Sequence, residues 1–253
     1  MSFVDPIPRR LLILGGTQEA RECAQLVDRQ KRWQITLSLD GRTHTPRAQP
    51  VSVRTGGFGG QQGLYDYVID QRIDALLIAT HPFAAQIAAN AAAIAQALNL
   101  PTVRLLRAPW QPSVTYPWCT CVSLPEAIQR LGPVPRRVFL PLGRQSASLF
   151  ESAPHHHYLL RSIDPVVPHP RLPHFENILH RGPFSVSAEH HLMRTHAIDA
   201  MLCKNSGGMA TAAKLEAAQQ LGIEIFMVER PTVATNILTV STPEAALAAL
   251  DDF

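Results

Sequence analysis

Leu11-Leu12-Ile13-Leu14-Gly15-Gly16-Thr17-Gln18-Glu19-Ala20 takes the chain from a short aliphatic run, through two glycines, into a helical pattern that continues to Arg29. An apolar run of this length bounded by glycine reads as a buried strand. Glycines let the backbone approach a phosphate closely, and the first amides of the following helix, with its dipole, favour an anion there. Thr17 and Ala20 stand where the second and third glycines of a G-x-G-x-x-G fingerprint would be. The turn therefore reads in two ways, as a dinucleotide site or as a tight strand-to-helix turn without a ligand.

The same alternation runs outward from this segment. Strands are expected at Gln34–Leu39, Val51–Val53, Ala75–Ala79 and Thr102–Leu106, with helices around Leu64–Gln71 and Pro82–Leu98. Strands alternating with helices imply parallel pairing through crossovers, hence an open α/β sheet. Leu131-Gly132-Pro133-Val134-Pro135 interrupts the pattern, which sets two domains, 1–132 and 133–253. The second half restarts with strands at Arg137–Leu142, Tyr158–Ile163, Ala200–Cys203 and Ile223–Val228. Helices are expected at Phe184–Arg194 and Gly208–Leu221, and Thr242-Pro243-Glu244 opens a last one through its cap and its proline. No internal sequence repeat is apparent.

Composition excludes several classes. Hydrophobic residues make up 46% of the chain and charged residues 17%, enough for a large core and wrong for a disordered chain. The net charge is only +3 with no Lys/Arg block, so no nucleic-acid partner is expected. The first apolar run is too short for a signal peptide, and Gln86, Asn90 and Gln96 interrupt the Ala-rich run from Ala84 to Leu98. A cytoplasmic protein without a membrane span is expected. Cys23, Cys119, Cys121 and Cys203 have neither disulfide-framework nor zinc-ribbon spacing. His155-His156-His157 are consecutive, so their side chains diverge in an extended strand, and His190, His191 and His196 lack a carboxylate or Cys at ligand spacing. No metal site is expected.

Candidate ligand contacts fall where strands end, the place where open α/β sheets bind ligands. Gly41-Arg42-Thr43 follows the second strand, where Arg42 suits a ribose 2′-phosphate and Asp40 suits a ribose hydroxyl. Gly56-Gly57-Phe58-Gly59-Gly60 is either a close-approach loop or a flexible one. Thr80-His81-Pro82-Phe83 ends the most apolar strand; Thr80 and Pro82 suit a helix start, and His81 suits an acid, a base or a ligand donor. Lys204-Asn205-Ser206-Gly207-Gly208 repeats the strand, polar glycine turn and helix, with Ser206 as a cap and a lysine at a position where lysine is seldom buried. Gly143-Arg144-Gln145 has the same placement, with a guanidinium suited to carboxylates.

Taken in order, these segments resemble the precorrin-6A reductase family over nearly the whole chain. The resemblance rests on Ile13-Leu14-Gly15-Gly16-Thr17 with Glu19-Ala20, Gly41-Arg42, Gly56–Gly60, Thr80-His81-Pro82-Phe83-Ala84, Gly143-Arg144-Gln145 and Lys204–Gly208. It departs at Ala79, where the family has Asp, and in the histidine- and proline-rich stretch around His155–His174. The resemblance implies two Rossmann-like domains, the first binding cofactor and the second completing a cleft for cofactor and macrocycle. It implies hydride transfer from NADPH to one carbon of a ring-contracted tetrapyrrole, with a proton added to the neighbouring carbon.

Under that resemblance Gly15, Gly16 and Thr17 face the pyrophosphate and Arg42 the 2′-phosphate. Gly57, Thr80, Lys204, Asn205, Ser206 and Gly207 complete the cofactor contacts. Phe58, Arg104, Arg144, Gln145 and Arg161 face the substrate and its carboxylates, with Arg107 and Arg181 as further anion contacts. His81 and Lys204 are the candidate catalytic residues. The expected partners are a small-molecule tetrapyrrole and, transiently, other corrin-pathway enzymes, with the chain itself a monomer. Two other readings stay open: a reductase of the cobalt-containing macrocycle, and a non-catalytic dinucleotide sensor. A sensor has no need of a second glycine turn carrying Lys204.

Overall fold

The computed structural model describes residues 8–41, 47–113, 116–233 and 236–253. Two six-stranded sheets are present, and every strand pair in them is parallel. The first contains β1 (Arg9–Leu14), β2 (Trp33–Leu39), β3 (Ser52–Thr55), β4 (Ala75–Ile78), β5 (Thr102–Leu105) and β12 (Leu238–Val240), in the order β12-β5-β4-β1-β2-β3. The second contains β6 (Cys119–Cys121), β7 (Arg137–Leu140), β8 (His157–Ser162), β9 (Phe175–Leu179), β10 (Ala200–Lys204) and β11 (Glu224–Val228), in the order β6-β11-β10-β7-β8-β9.

Alternation along β1 explains why that strand is central. Leu11 and Ile13 point to one face and Leu12 and Leu14 to the other, and all four are at most 2% exposed. The first face packs on α1 (Gln18–Gln30) and α7 (Pro243–Asp251) through Val27, Ala246 and Leu250. The second packs on α2 (Gln61–Asp70) and α3 (Ala85–Leu98) through Leu64, Val68 and Ile94. A strand covered on both faces must be apolar throughout, as β4 is. In the second sheet Phe139, Leu159, Met201 and Met227 meet Met193 of α5 (Val186–Thr195) and Ala217 of α6 (Ala213–Gln220).

The expected division at 132/133 is not where the chain divides. One unit runs through Ala108 and resumes at Pro231–Phe253; the other is Pro109–Arg230. The reason is the pairing of two short strands: β6 lies against β11, and β12 lies against β5. The first unit therefore takes its edge strand from beyond the second unit, and the second unit takes its own from the segment that precedes its other five strands. With those edge strands included, the two sheets share one spatial strand order. A sequence echo accompanies it, because Val122-Ser123-Leu124-Pro125-Glu126-Ala127 and Val240-Ser241-Thr242-Pro243-Glu244-Ala245 lie at the ends of the two edge strands. They open α4 (Leu124–Arg130) and α7, capped by Ser123 and Thr242.

None of the helices among the described residues is long and apolar enough to cross a membrane. Among those residues no group of His, Cys, Asp and Glu is arranged to hold a metal ion.

Candidate active site

In the first sheet the strand order reverses between β1 and β4, and the loops after these two strands meet. The Gly15 amide donates to Ser38 O at 2.9 Å, and a Cβ on Gly15 would lie 2.5 Å from Leu37 Cδ1. A side chain there would make Leu37 of β2 shift. Gly16 has φ +109°, in the range that L side chains rarely adopt. The Thr17 hydroxyl accepts from Ala20 N at 3.1 Å, capping α1, and donates to Ala79 O at 2.9 Å, tying the two loops together.

Glu19 in the first turn of α1 is an unusual neighbour for a phosphate. It is paired with Arg107, which follows β5, at 2.7 Å, both side chains being under one-fifth exposed. The pair leaves the helix N-terminus without a net negative side chain beside it. Thr17, Glu19, Thr80, Pro82 and Arg107 line a small crevice at this point.

Gly56–Gly60 is braced from β3. Arg54 of β3 donates to Gly56 O at 2.7 Å, to Gly57 O at 3.0 Å and to Ser38 Oγ at 3.0 Å. Its guanidinium lies 3.8 Å from the centre of the Phe58 ring, which meets Tyr67 edge-on at 5.2 Å. Phe58, expected to face the substrate, is thus half-buried against the core and capped by Arg54. A Cβ on Gly63 would stand 1.7 Å from Phe58 O, so the first turn of α2 requires glycine to close on this loop.

Thr80 does not cap a helix. His81 to Ala84 first form a turn, with Ala84 N donating to His81 O at 2.8 Å, and α3 starts only at Ala85. His81 is exposed, and its Nδ1 accepts from Phe83 N at 3.2 Å. Arg104 on β5 is half-buried, and burial lowers its pKa. No hydrogen bond or ion pair joins its guanidinium to any described residue. Arg42 lies outside the described residues.

The second sheet reverses between β7 and β10, and Gly143-Arg144-Gln145 and Lys204–Gly208 follow these two strands. Arg144 is half-buried and Gln145 exposed, at the start of a 3-10 turn running to Ser152. Lys204 is half-buried at the end of β10. Asn205, expected on the cofactor, is 2% exposed and bonded within the protein. Its Oδ1 accepts from Trp110 N at 2.9 Å, its Nδ2 donates to Trp110 O at 3.2 Å, and its own carbonyl accepts from Arg230 Nε at 2.8 Å. Trp110 Nε1 then donates to Gly208 O at 3.1 Å, and the Lys214 ammonium lies 4.4 Å from the centre of its ring. Trp110 and Arg230 stand beside the two points where the chain changes units, so one asparagine anchors both to the loop. Ser206 is buried and does not cap a helix, because a 3-10 turn at Met209–Thr211 precedes α6.

Arg161 is the clearest correction. It is 6% exposed, ion-paired with Glu189 of α5, and packed between Phe139 and Phe184, whose ring centres lie 5.0 and 3.7 Å away. It is unavailable to a substrate carboxylate. Arg54, Trp110 and Lys214 were not found from sequence, since their importance rests on contacts with distant segments.

The family described as Precorrin-6x reductase CbiJ/CobK matches residues 10–251. The chain belongs to that family. A precorrin-6A reductase from a Sinorhizobium species is 48% identical over 238 residues, covering 94% of this chain and 91% of the relative. One from Rhodococcus erythropolis is 42% identical over 240 residues, covering 94% and 96%. A solved structure, CobK precorrin-6A reductase, superposes with a TM-score of 0.90 at 38% identity, covering 96% of both chains. A cobalt-precorrin-6A reductase from Priestia megaterium is 26% identical over 241 residues, covering 88% and 91%. The protein is accordingly a reductase of the precorrin-6A reductase family of cobalamin biosynthesis, with the Rossmann-like α/β fold read from the sequence.

Proposed function

We propose that this reductase takes NADPH and metal-free precorrin-6A and yields the dihydro product, precorrin-6B, in the cytoplasm and as a monomer. The observation that carries the cofactor assignment is the strand order β5-β4-β1-β2-β3 with Gly15-Gly16-Thr17 at its reversal, the position at which such sheets bind dinucleotides. The residues present fit that group. Gly15 closes the turn, Gly16 has open space where a Cβ would be, and Arg107 neutralises Glu19 beside the helix N-terminus. The metal-free substrate is favoured because precorrin-6A reductases are 36–48% identical to this chain, against 24–26% for the cobalt-precorrin-6A enzymes.

When bound, NADPH supplies the hydride. The chain's part is to hold the anionic ends and deliver a proton. The amides opening α1 hold the pyrophosphate and Arg42 the 2′-phosphate, while Gly57 and Thr80 border the same strand ends. Arg104, Arg144 and Gln145 take substrate carboxylates. His81 accepts a main-chain N–H at Nδ1, so its neutral ring carries hydrogen on Nε2 and suits hydrogen-bond donation to the substrate; to deliver a proton it must first take up a second one at Nδ1, releasing Phe83 N. Lys204 at the end of β10 is the second candidate donor.

The test compares NADPH with NADH in wild type and Arg42→Ala. Loss of one charge-assisted contact weakens NADPH by about 1–3 kcal/mol and leaves NADH unchanged. Equal weakening of both cofactors rules out the 2′-phosphate role.

A further inference from the structure

The histidine- and proline-rich stretch takes no part in the reaction proposed above. Its three consecutive histidines go to three places. His155 Nε2 lies 3.2 Å from Gly132 O, His156 is fully buried with Nδ1 accepting from Arg136 N at 3.1 Å, and His157 stacks on His174. The His157 and His174 rings are 4.0 Å apart and within 8° of parallel. No hydrogen bond joins either ring to a described residue. Both stand at the amino ends of β8 and β9, the edge of the sheet opposite Lys204.

Arg137 stands beside them as the first residue of β7. Its Nε donates to His196 O at 2.5 Å and its amide to Asp199 Oδ2 at 3.0 Å, which leaves the two terminal guanidinium nitrogens without a partner among the described residues. Arg137, His157, His174, Glu176 and His196 line a cavity of about 270 Å³. The Glu176 carboxylate is directed at His196 Nδ1, 3.4 Å away, and Asp199 also accepts from Arg136.

The stacking decides what the cavity suits. A metal ion lies in the plane of each imidazole that ligates it, at roughly 2.1 Å. Two parallel rings 4.0 Å apart cannot both meet that condition for one ion. They can donate separately to two oxygens of one anion, with the guanidinium as a third donor.

We propose that this cavity is an oxyanion site, holding a carboxylate or phosphate group between Arg137, His157 and His174. Partial burial and the neighbouring His174 and Arg137 hold His157 below the ordinary imidazole range. An anion in the cavity offsets the repulsion from both neighbours, so binding takes up protons. Affinity rises as pH falls, with Arg137, Tyr158, His174, His196, Glu176 and Asp199 as the other charged or titratable groups at the site among the described residues.

The test follows the histidine ring resonances of the full chain by NMR while inorganic phosphate or citrate is added, at about pH 6 and about pH 8. Saturable shifts of His157 and His174 are expected, with affinity about tenfold higher at the lower pH and about tenfold lower in Arg137→Gln. His174→Ala abolishes the response of His157. A response to phosphate alone identifies a free phosphate site, and a response to citrate alone a carboxylate site; either supports the proposal. No saturable shift with either anion, or equal shifts at every exposed histidine that survive both substitutions, overturns it.

Discussion

Arg161 and Glu189 have side chains 5% and 1% exposed, and between them they show how far residue type alone can mislead. An arginine at a strand end suits a carboxylated substrate, yet here the guanidinium lies between two phenyl rings with its own carboxylate inside the core. Removing one partner of a buried pair leaves an uncompensated charge, at a cost of about 3–5 kcal/mol. Glu189→Ala should therefore lower the urea midpoint sharply, and Arg161→Met with Glu189→Leu should recover most of it. A stable Glu189→Ala protein with weakened substrate binding would return Arg161 to the ligand. Trp110 is the opposite case, a residue without evident chemistry that holds the Lys204–Gly208 loop at two points. Trp110→Phe removes only the bond to Gly208 O, worth about 0.5–1.5 kcal/mol, and should speed amide exchange at Gly207 and Gly208 with little change in the melting temperature. Unchanged exchange there would mean that the loop keeps its own shape.

At the scale of elements, Gly63 separates local propensity from packing. Glycine inside a helix is less favourable than alanine by roughly 1 kcal/mol, so propensity alone predicts that Gly63→Ala stabilises α2. The approach of Phe58 O predicts the reverse, a lower melting temperature in differential scanning calorimetry; a raised one would show that the glycine loop yields easily. Of the strands that sequence reading located, β1, β4, β7, β8, β10 and β11 are largely buried apolar runs, and β2 and β5 alternate more and less buried residues. The third, β3, was expected one or two residues early at Val51–Val53. Those it missed, β6, β9 and β12, are edge strands; two have three residues and β9 carries Glu176 and Asn177. Their pairing is decided by the edge they meet and leaves little trace in composition. Helix starts at Pro82 and Gly208 were read too early for a related reason. Each marks a turn that closes by its own hydrogen bonds before the helix begins.

For the whole molecule, the consequence is that the first unit is built from two separate pieces of chain, with the second unit, Pro109–Arg230, inserted between them. A protein ending at Arg230 lacks β12 and α7, which exposes one edge of β5 and strips Ala246, Ala249 and Leu250 from the first core. Hydrogen exchange should then show loss of protection at Thr102–Leu105 while β10 and β11 retain theirs. Full protection of β5 in the truncated chain would show that the borrowed strand is dispensable. The positions of the glycine turns and of Lys204 at strand ends were legible because an apolar run closed by polar or glycine residues marks where a buried strand stops. The roles of Asn205, Arg54 and Trp110 were not, because they arise where distant segments cross. The proposed reaction is tested most directly by mixing purified protein, NADPH and authentic precorrin-6A without oxygen and following cofactor and macrocycle absorbance together. Equimolar oxidation of NADPH and loss of the precorrin-6A chromophore are expected; tight NADPH binding with no oxidation in the presence of the macrocycle would contradict the assignment.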